Sequence, residues 1–251
     1  MAAQESSSPK YRRIADALKQ AIAAGEFGPG DRLPGENELM SRHGVARMTA
    51  RQALGVLTSE GLAEARKGAG VFVRHFRPIR RRGVPRLARE QWGEGRSVWA
   101  ADVPDRELVV DEVTVGEEPA DEDVAARLDL APGDAVTVRR RRFVLDGKPV
   151  LLSTSYLPAG LVAGSAITRP DTGAGGVYAR LAELGAAPAR FREEVRSRMP
   201  APDETDRLRL PAGTPVFLIS RTAVTADGRA VEINEMILDS SAYVLEYDVD
   251  A

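Results

Sequence analysis

A short cluster of hydrogen-bond donors carries the clearest chemistry in this sequence. Arg47, Thr49, Arg51 and Gln52 lie together at the start of a predicted helix. An arginine can donate two hydrogen bonds to the O6 and N7 edge of guanine, and a threonine can contact a phosphate or the methyl group of thymine. The cluster therefore suits reading of the DNA major groove, although a solvated helix face would also explain these residues.

Three predicted helices must position this cluster. The first lies between Pro9 and Gly25, residue types that suit a helix start and a helix end. Its apolar residues recur at spacings of three and four: Tyr11, Ile14, Leu18 and Ile22. A short second helix opens within Leu33–Leu39 and ends near His43 and Gly44.

The third predicted helix runs from about Arg47 to Glu60 and stops at Gly61. Its apolar residues form one stripe: Ala50, Ala53, Leu54 and Leu57. Two short helices joined by a tight turn that contains glycine, with donors at the start of the second, are typical of a helix-turn-helix.

A basic hairpin follows the third helix. The segment Leu62–Val73 predicts two short strands around the turn Lys67-Gly68-Ala69-Gly70. Such a wing can place a lysine and backbone amides on a phosphate or in the minor groove. These glycines do not predict a nucleotide-binding loop, because the third glycine of that motif is absent and the segment lies inside a hairpin.

The composition excludes several other chemistries. The 251-residue chain has no cysteine, so disulfides, thiolate metal sites and cysteine nucleophiles are ruled out. His43 and His75 are the only histidines, which leaves little for a catalytic triad or a histidine-rich metal site. Residues 1–90 hold 17 lysines and arginines against 9 acidic residues, and the rest hold 18 against 28. This asymmetry suggests a basic part that meets a polyanion and an acidic part with another task.

The chain divides into four predicted segments. We expect a flexible tail at residues 1–9, a winged helix-turn-helix domain at 10–74, a basic linker at 75–90 and a larger domain at 91–251. The linker is predicted from two prolines, the lack of an apolar period and a run of arginines. These arginines either add salt-sensitive DNA affinity or only keep an interdomain tether solvated. These arginines, beginning at the end of the wing, are Arg74, Arg77, Arg80, Arg81, Arg82, Arg86 and Arg89.

Two segments could suggest membrane targeting, but neither has the required pattern. The first ten residues, MAAQESSSPK, have no apolar core and do not predict a signal peptide. The uncharged stretch Pro149–Thr168 is interrupted by serine, proline and glycine, so it predicts a strand that runs into a loop. We expect a cytoplasmic protein without a membrane partner.

The larger domain contains an internal repeat. Leu128–Gly133 resembles Leu208–Gly213, and each segment precedes a predicted strand, an Asp-Gly turn and a second strand. The repeat predicts a mostly antiparallel sheet made of two related halves, with helices such as Val177–Leu184 packed on it. With the helical first domain, the fold class is α+β.

Two arginines occupy equivalent places in the repeat. Alternation puts Arg141 on the same strand face as Phe143, and Arg221 on the same face as Ile219. A cation that faces a core either pairs with a buried carboxylate or holds an anionic ligand, and the sequence leaves both open. The run Arg139–Arg142 resembles a nucleic-acid patch, but on a strand half of it must point the other way.

Three further motifs receive ordinary explanations. The loop Gly173–Gly176 precedes a helix and could offer amides to an anion, but we interpret it as a flexible connection. Glu193 and Glu194 are interpreted as solvated charge. The acidic run Asp121–Asp123 is placed at a helix start, where negative charge is favourable.

Residues 10–73 resemble the winged helix of GntR-type bacterial transcription regulators. The matching motifs are Gly30–Glu36, Val45–Leu54 and Glu60–Val73. The resemblance implies that Arg47, Thr49 and Arg51 touch an operator and that Gly68 enters the minor groove. Ala46 stands where the family usually has a serine that caps the recognition helix. The full set of expected DNA-binding residues is Tyr11, Arg47, Met48, Thr49, Arg51, Gln52, Lys67, Gly68 and Gly70.

The larger domain resembles UTRA, the effector-binding domain of the HutC subfamily, which has a chorismate lyase-like fold. The matching segments are Asp146–Pro149, preceded by Arg141, then Ser153–Pro158, and Val231–Tyr243. In sugar-phosphate-sensing members, an arginine matching Arg141 and two acidic residues bind the ligand. Glu232 fits one acidic place, Ser153 replaces the other and Phe143 replaces a second arginine. The expected effector-binding residues are Arg139, Arg141, Ser153, Arg221 and Glu232.

Together these features predict a transcription regulator rather than an enzyme. We expect a homodimer that binds a palindromic double-stranded DNA operator and is controlled by a small anionic effector. Repression is the expected direction of regulation, and no cofactor is expected. Two rival hypotheses remain: a domain with residual lyase-like activity on an aromatic acid, and a constitutive DNA-binding protein whose second domain only dimerises.

Overall fold

A computed structural model describes residues 8–74, 79–83, 87–88, 92, 98–99, 102–103 and 106–248. The chain divides into two compact units, one over residues 1–77 and the other over most of the remainder. The predicted tail, apart from residues 8 and 9, lies outside the described residues, as do Arg77, Arg86 and Arg89 of the predicted linker.

The first unit contains the three predicted helices. They are α1 (Lys10–Ala23), α2 (Glu36–His43) and α3 (Arg47–Ser59). Helix α2 ends at Gly44, which has left-handed backbone angles and donates its amide to the carbonyl of Met40. Ala46 precedes α3 without a side-chain cap, as its side chain has no acceptor. The missing serine cap costs about 1 kcal/mol.

The apolar stripes of these helices form one core. Ile14 and Leu18 of α1 are buried, whereas Tyr11 and Ile22 are partly buried against the same cluster. The predicted α3 stripe is buried at all four positions: Ala50, Ala53, Leu54 and Leu57. Burying that face fixes the direction of the opposite face of α3, which remains exposed.

The wing is an antiparallel hairpin. Strand β1 (Ala63–Arg66) pairs with β2 (Gly70–Val73), with Ala63 opposite Val73 and Arg66 opposite Gly70. The turn holds Gly68 at φ +74°, a conformation that favours glycine. This hairpin confirms the prediction from the basic, glycine-rich turn.

The second unit is built on a six-stranded antiparallel sheet. Its strands are β4 (Leu108–Pro119), β5 (Ala135–Leu145), β6 (Lys148–Pro158), β7 (Arg190–Arg198), β8 (Val216–Val224) and β9 (Ala230–Asp239). They lie side by side in the order β4-β5-β6-β9-β8-β7. Its helices are α4 (Glu122–Leu128), α5 (Ala159–Val162), α6 (Gly176–Glu183) and α7 (Pro202–Leu208). The mostly antiparallel, α+β architecture is as predicted.

The internal repeat corresponds to two copies of a strand-helix-strand-strand unit. The copies are β4-α4-β5-β6 and β7-α7-β8-β9, which meet where β6 pairs with β9. Even a rare backbone feature is repeated, since Asp129 and Arg209 end their helices with left-handed angles at φ +56° and +50°. The Asp146-Gly147 turn of the first copy has positive φ at both residues, as a tight hairpin requires.

The predicted linker is wrong for residues 79–82. These residues form strand β3 (Ile79–Arg82), which pairs in parallel with β10 (Tyr243–Glu246). Ile79 and Arg81 are buried, whereas Arg80 and Arg82 are exposed and form ion pairs with Glu246. The alternation of buried and exposed residues was hidden because arginine occupies both kinds of position.

Three local predictions can be compared with the structure. Asp121 caps α4 by accepting the amide hydrogen of Val124, which confirms the acidic run as a helix start. Helix α6 confirms the predicted helix at Val177–Leu184 within one residue at each end. The stretch Pro149–Thr168 begins as strand β6, but its second part contains α5 and a 3₁₀ turn rather than only a loop.

None of the helices in the described part of the chain is long and apolar enough to span a membrane.

Candidate nucleic-acid interface and ligand cavity

The predicted donors lie on the exposed face of α3. Arg47, Met48, Arg51 and Gln52 are exposed, and Thr49 is partly buried. Met48, an apolar side chain on the same face, is 60% exposed. The first turns of α3 therefore offer both hydrogen-bond donors and an apolar group to a partner.

A carboxylate from α2 contacts two of these donors, and the sequence analysis did not single it out. Glu36 accepts hydrogen bonds from Arg51 at 2.7 Å and 3.2 Å. Its second oxygen lies 3.6 Å from Nε of Arg47. Arg47 also donates to Oδ1 of Asn37 at 3.1 Å. The hydrogen-bonded residues are 10 to 15 positions apart in sequence, and the turn between α2 and α3 brings them together.

The wing presents its turn to solvent. Lys67 and Gly68 are exposed, and Gly70 is partly buried. Gly70 has φ +122°, and a Cβ at this position would lie 3.0 Å from Nε of Arg32. Gly70 therefore allows the Arg32 side chain to lie against the wing. Tyr11 differs from the other predicted contacts, since its ring packs partly on the helical core while its hydroxyl accepts a hydrogen bond from Arg12.

The second unit contains a cavity of about 470 Å³ beside the sheet. Four of the five predicted effector residues line it, and Ser153 lies directly behind one of them. The polar or charged residues on its wall include Arg139, Arg141, Asp171, Arg221, Glu232 and Asn234. The repeat explains this convergence, because Arg141 and Arg221 occupy matching strand positions on either side of the β6–β9 pair.

Arg141 is held by hydroxyl groups rather than by a carboxylate. It donates to Oγ of Ser155 at 2.7 Å and to Oγ of Ser153 at 3.2 Å. Burial lowers the pKa of Arg141, although the nearby Glu232 acts in the opposite direction. The side chain thus carries its charge at the cavity without a bidentate acid partner among the described residues, which is the situation of an anion receptor.

Arg139 fixes a loop at the rim of the cavity. It donates hydrogen bonds to the carbonyl oxygens of Ile167, Arg169 and Pro170. Burial lowers its pKa to about 10, so it remains protonated at neutral pH. Because its hydrogen bonds go to the backbone, Arg139 contributes charge to the cavity and positions the segment that follows.

That segment leads to the glycine loop before α6. Gly173, Gly175 and Gly176 have positive φ, and Gly173–Gly176 lines the cavity. The interpretation of this loop as merely a flexible connection is therefore incomplete. It places the start of α6, the positive end of the helix dipole, beside the same cavity as Arg141.

Arg221 has a different environment from its repeat partner. Its guanidinium lies 5.6 to 5.9 Å from the ring centres of Trp99, Tyr178 and Phe191. Its Nη1 lies 3.8 Å from Oε1 of Glu193. The sequence left two alternatives for Arg221, an acidic partner or an anionic ligand. The structure gives it an acidic partner, Glu193, and also places it on the cavity wall.

Glu193 is not solvated charge, and that prediction is wrong. It lies between Arg221 and Arg81, and Arg81 donates to both of its oxygens, one at 2.9 Å. Arg81 and Arg221 are 0% and 1% exposed, and the Glu193 side chain is 10% exposed. Its neighbour Glu194 is exposed, as predicted. Strand alternation separates the two, because they point to opposite sheet faces.

A buried acid and amide complete the polar wall of the cavity. Glu232 is 2% exposed, and its Oε2 has no hydrogen-bond partner among the described residues. Asn234 accepts a hydrogen bond from Ser153 at 2.9 Å and donates to Ser155 at 3.2 Å. Asn234 is not among the predicted effector residues, although the repeat sets it opposite Arg221 as Ser153 is set opposite Arg141.

The two other arginines of the Arg139–Arg142 run point to the opposite face of the sheet. Arg140 forms a bidentate pair with Glu118, at 2.6 Å and 2.9 Å. Arg142 pairs with Asp111 and Glu112. Alternation thus divides the run as predicted, and the half on this face, which is partly buried, is matched by acidic partners. Within the described ranges, no cluster of three or more acidic or histidine residues could hold a metal ion.

A winged helix with donors on its exposed third helix, followed in the same chain by a sheet domain with a cationic cavity, defines a DNA-binding regulator with a ligand-binding domain. Comparison with known families agrees. Residues 10–73 match the gntR family of bacterial regulatory proteins, and residues 106–244 match the UTRA domain. The chain belongs to the GntR family, in its HutC-like form, and is a transcriptional regulator with a DNA-binding domain and an effector-binding domain.

Several relatives match this chain over almost its full length. An HTH-type transcriptional regulator of Streptomyces coelicolor is 30% identical and covers 96% of this chain and 93% of its own. The HTH-type transcriptional repressor NagR of Bacillus subtilis is 27% identical over 98% of this chain and 97% of its own. The crystal structure of PhnF from Mycobacterium smegmatis is 27% identical, covers 95% of this chain and 99% of its own, and has a TM-score of 0.60.

Proposed function

We propose that this regulator is a repressor that binds a palindromic operator as a homodimer and is controlled by a small anionic effector in the second unit. The observation that carries the effector proposal is the convergence of Arg141, the glycine loop and the start of α6 on one cavity. The cytoplasm is the expected location. The name of NagR, a repressor, supports the direction of regulation.

For operator binding we propose α3 and the wing. Arg47, Thr49, Arg51 and Gln52, with Met48 beside them, would enter the major groove. The wing residues Lys67, Gly68 and Gly70 would follow the phosphates or the minor groove. Tyr11 would add a contact to the DNA backbone. What supports this assignment is the exposure of these donors on a face whose opposite side is fixed by core packing. Dimers of helix-turn-helix proteins bind two half-sites, which accounts for a palindrome.

For the effector we propose a small molecule with an anionic group and a hydroxyl or amino group. Arg141 and the glycine loop would hold the anion, with Arg139 and Arg221 adding positive charge. The unpartnered Oε2 of Glu232 requires a donor, and a hydroxyl or ammonium group of the ligand would supply it. Ser153 would act through its contact with Arg141 rather than by charge.

Control requires that the effector bind one state of the regulator better than another. A ligand shifts an equilibrium only by its difference in affinity for the two states, and such coupling is usually about 1–3 kcal/mol. The lyase-like and constitutive alternatives predict, respectively, turnover of an aromatic acid and no response to ligands. The match to the UTRA domain and the cationic cavity favour the effector-controlled function.

The effector proposal predicts a binding difference between two neighbouring arginines. Inorganic phosphate is expected to raise the thermal unfolding midpoint of the wild-type protein, and R141Q is expected to abolish this increase because the anion loses its main donor. R140Q is the matched control, since it removes the same charge from the same strand on the opposite face. Differential scanning fluorimetry checks the prediction, and equal responses of R141Q and the wild type would contradict it.

A further inference from the structure

We propose that Glu36 is a positioning residue that orients Arg51 and Arg47 for the bases of the operator and so sets sequence specificity. The inference rests on the proposed role of α3 in operator binding. It assigns a function to a residue that cannot itself donate hydrogen bonds to DNA and that carries the same sign of charge as the phosphates.

Glu36 holds the Arg51 guanidinium through two hydrogen bonds. Nε and Nη2 of Arg51 donate to the two different oxygens of Glu36, at 2.7 Å and 3.2 Å. Such a two-point contact fixes the plane of the guanidinium as well as its position. An arginine already held in one plane loses less side-chain freedom when it makes two hydrogen bonds to guanine.

The same carboxylate removes a repulsion on α3. Arg47 and Arg51 are four residues apart, so they are neighbours on one helix face, where like charges repel. Glu36 lies within reach of both, with its second oxygen 3.6 Å from Nε of Arg47. The pair can therefore stay close enough to address adjacent bases. Asn37 adds a second acceptor for Arg47, at 3.1 Å.

The position of Glu36 in the fold makes it a suitable anchor. It is the first residue of α2, where a negative charge is favoured by the helix dipole, and its side chain is 29% exposed against 60% for each arginine. The hydrogen bond from Arg51 lowers the pKa of Glu36, so the carboxylate is charged under ordinary conditions.

The carboxylate also affects DNA of unrelated sequence. Affinity for any duplex depends on phosphate neutralisation, and a negative charge on the contact surface weakens it. On the correct sequence the oriented arginines offset this loss through base contacts. Glu36 therefore improves the ratio of specific to non-specific affinity rather than affinity itself.

The test compares two carboxylates of one helix. E36Q removes the charge that holds Arg47 and Arg51, whereas E38Q removes an equal charge whose ion-pair partner among the described residues is Arg42, at 3.0 Å. The probe is a duplex selected from a random library by the wild-type protein, measured beside a scrambled duplex at fixed salt. We expect E36Q to lower the ratio of the two affinities by about tenfold, the size of one bidentate base contact. We expect E38Q to change the ratio by less than about twofold.

An additional variant separates this inference from the proposed function. If R51A leaves affinity for the selected duplex unchanged, the docking of α3 is wrong and the role of Glu36 falls with it. If R51A weakens binding and E36Q behaves like E38Q, only the inference is overturned. In the double variant, E36Q is expected to cost clearly less than it does in the wild type, because only its contact with Arg47 remains once Arg51 is absent. Independent, additive effects would contradict a role through Arg51.

Discussion

E193Q is expected to destabilise the second unit by about 3–5 kcal/mol. Glu193 is the carboxylate between Arg81 and Arg221, and both guanidinium groups are almost completely buried. A neutral amide would leave two buried positive charges without their shared counter-charge. The cost of removing these charges from water would then no longer be offset. Urea denaturation followed by tryptophan fluorescence measures the effect, because both tryptophans, Trp92 and Trp99, lie in the second unit.

E194Q is the matched control for this measurement. It makes the same chemical change one residue away, at an exposed position, and is expected to shift the free energy of unfolding by less than about 0.5 kcal/mol. If the two variants unfold at similar urea concentrations, the Arg81–Glu193–Arg221 group does not stabilise the domain.

R47A is expected to weaken binding to the selected duplex by about 1–3 kcal/mol and to relax its sequence preference. Arg47 lies at the first position of α3 with most of its side chain exposed, and its guanidinium forms an ion pair with Glu36 and a hydrogen bond to Asn37. Fluorescence anisotropy titrations at fixed salt, with the selected and scrambled duplexes, measure both quantities.

The scrambled duplex provides the internal control for R47A. On the scrambled duplex, R47A is expected to lose only the affinity that one positive charge contributes. This loss would appear as a weaker dependence of the affinity on salt concentration. An equal loss on both duplexes would mean that Arg47 contacts phosphate alone. Unchanged affinity on the selected duplex would contradict the docking of α3.

The first unit was predicted well because its signals are local. Apolar spacing in α1 and α3 and the glycines at helix and hairpin ends act within a few residues, so each element follows from its own segment. The contact of Glu36 with Arg51 was missed because it depends on how α2 and α3 cross, and no local pattern records that angle.

The second unit shows where local patterns fail. The repeat predicted the two halves of the sheet and the matching places of Arg141 and Arg221. It did not predict that Arg221 pairs with Glu193, whereas Arg141 donates to two serine hydroxyls and has no ion pair with an acid among the described residues. Arg81 and Glu193 are 112 residues apart, and a strand whose residues are mostly arginine resembles a solvated linker. Only tertiary packing decides which of those arginines is buried.

The cavity was predicted in part. Four of its charged residues were named from the repeat and from the resemblance to UTRA, because strand alternation fixes which side chains share a face. The glycine loop was undervalued, since nothing in its own sequence reports that Arg139 holds the preceding segment at the cavity rim. Asn234 was overlooked although the repeat contained the signal for it.

The most direct test of the central claim is the affinity of the full chain for the selected duplex, at fixed salt, with and without pools of small metabolites. The account predicts sequence-specific binding that one pool of anionic metabolites weakens by about 5-fold or more, the lower range of ordinary allosteric coupling. Specific binding that no pool alters would contradict control by an effector. Binding that is sequence-independent and lost with moderate salt would contradict operator recognition itself.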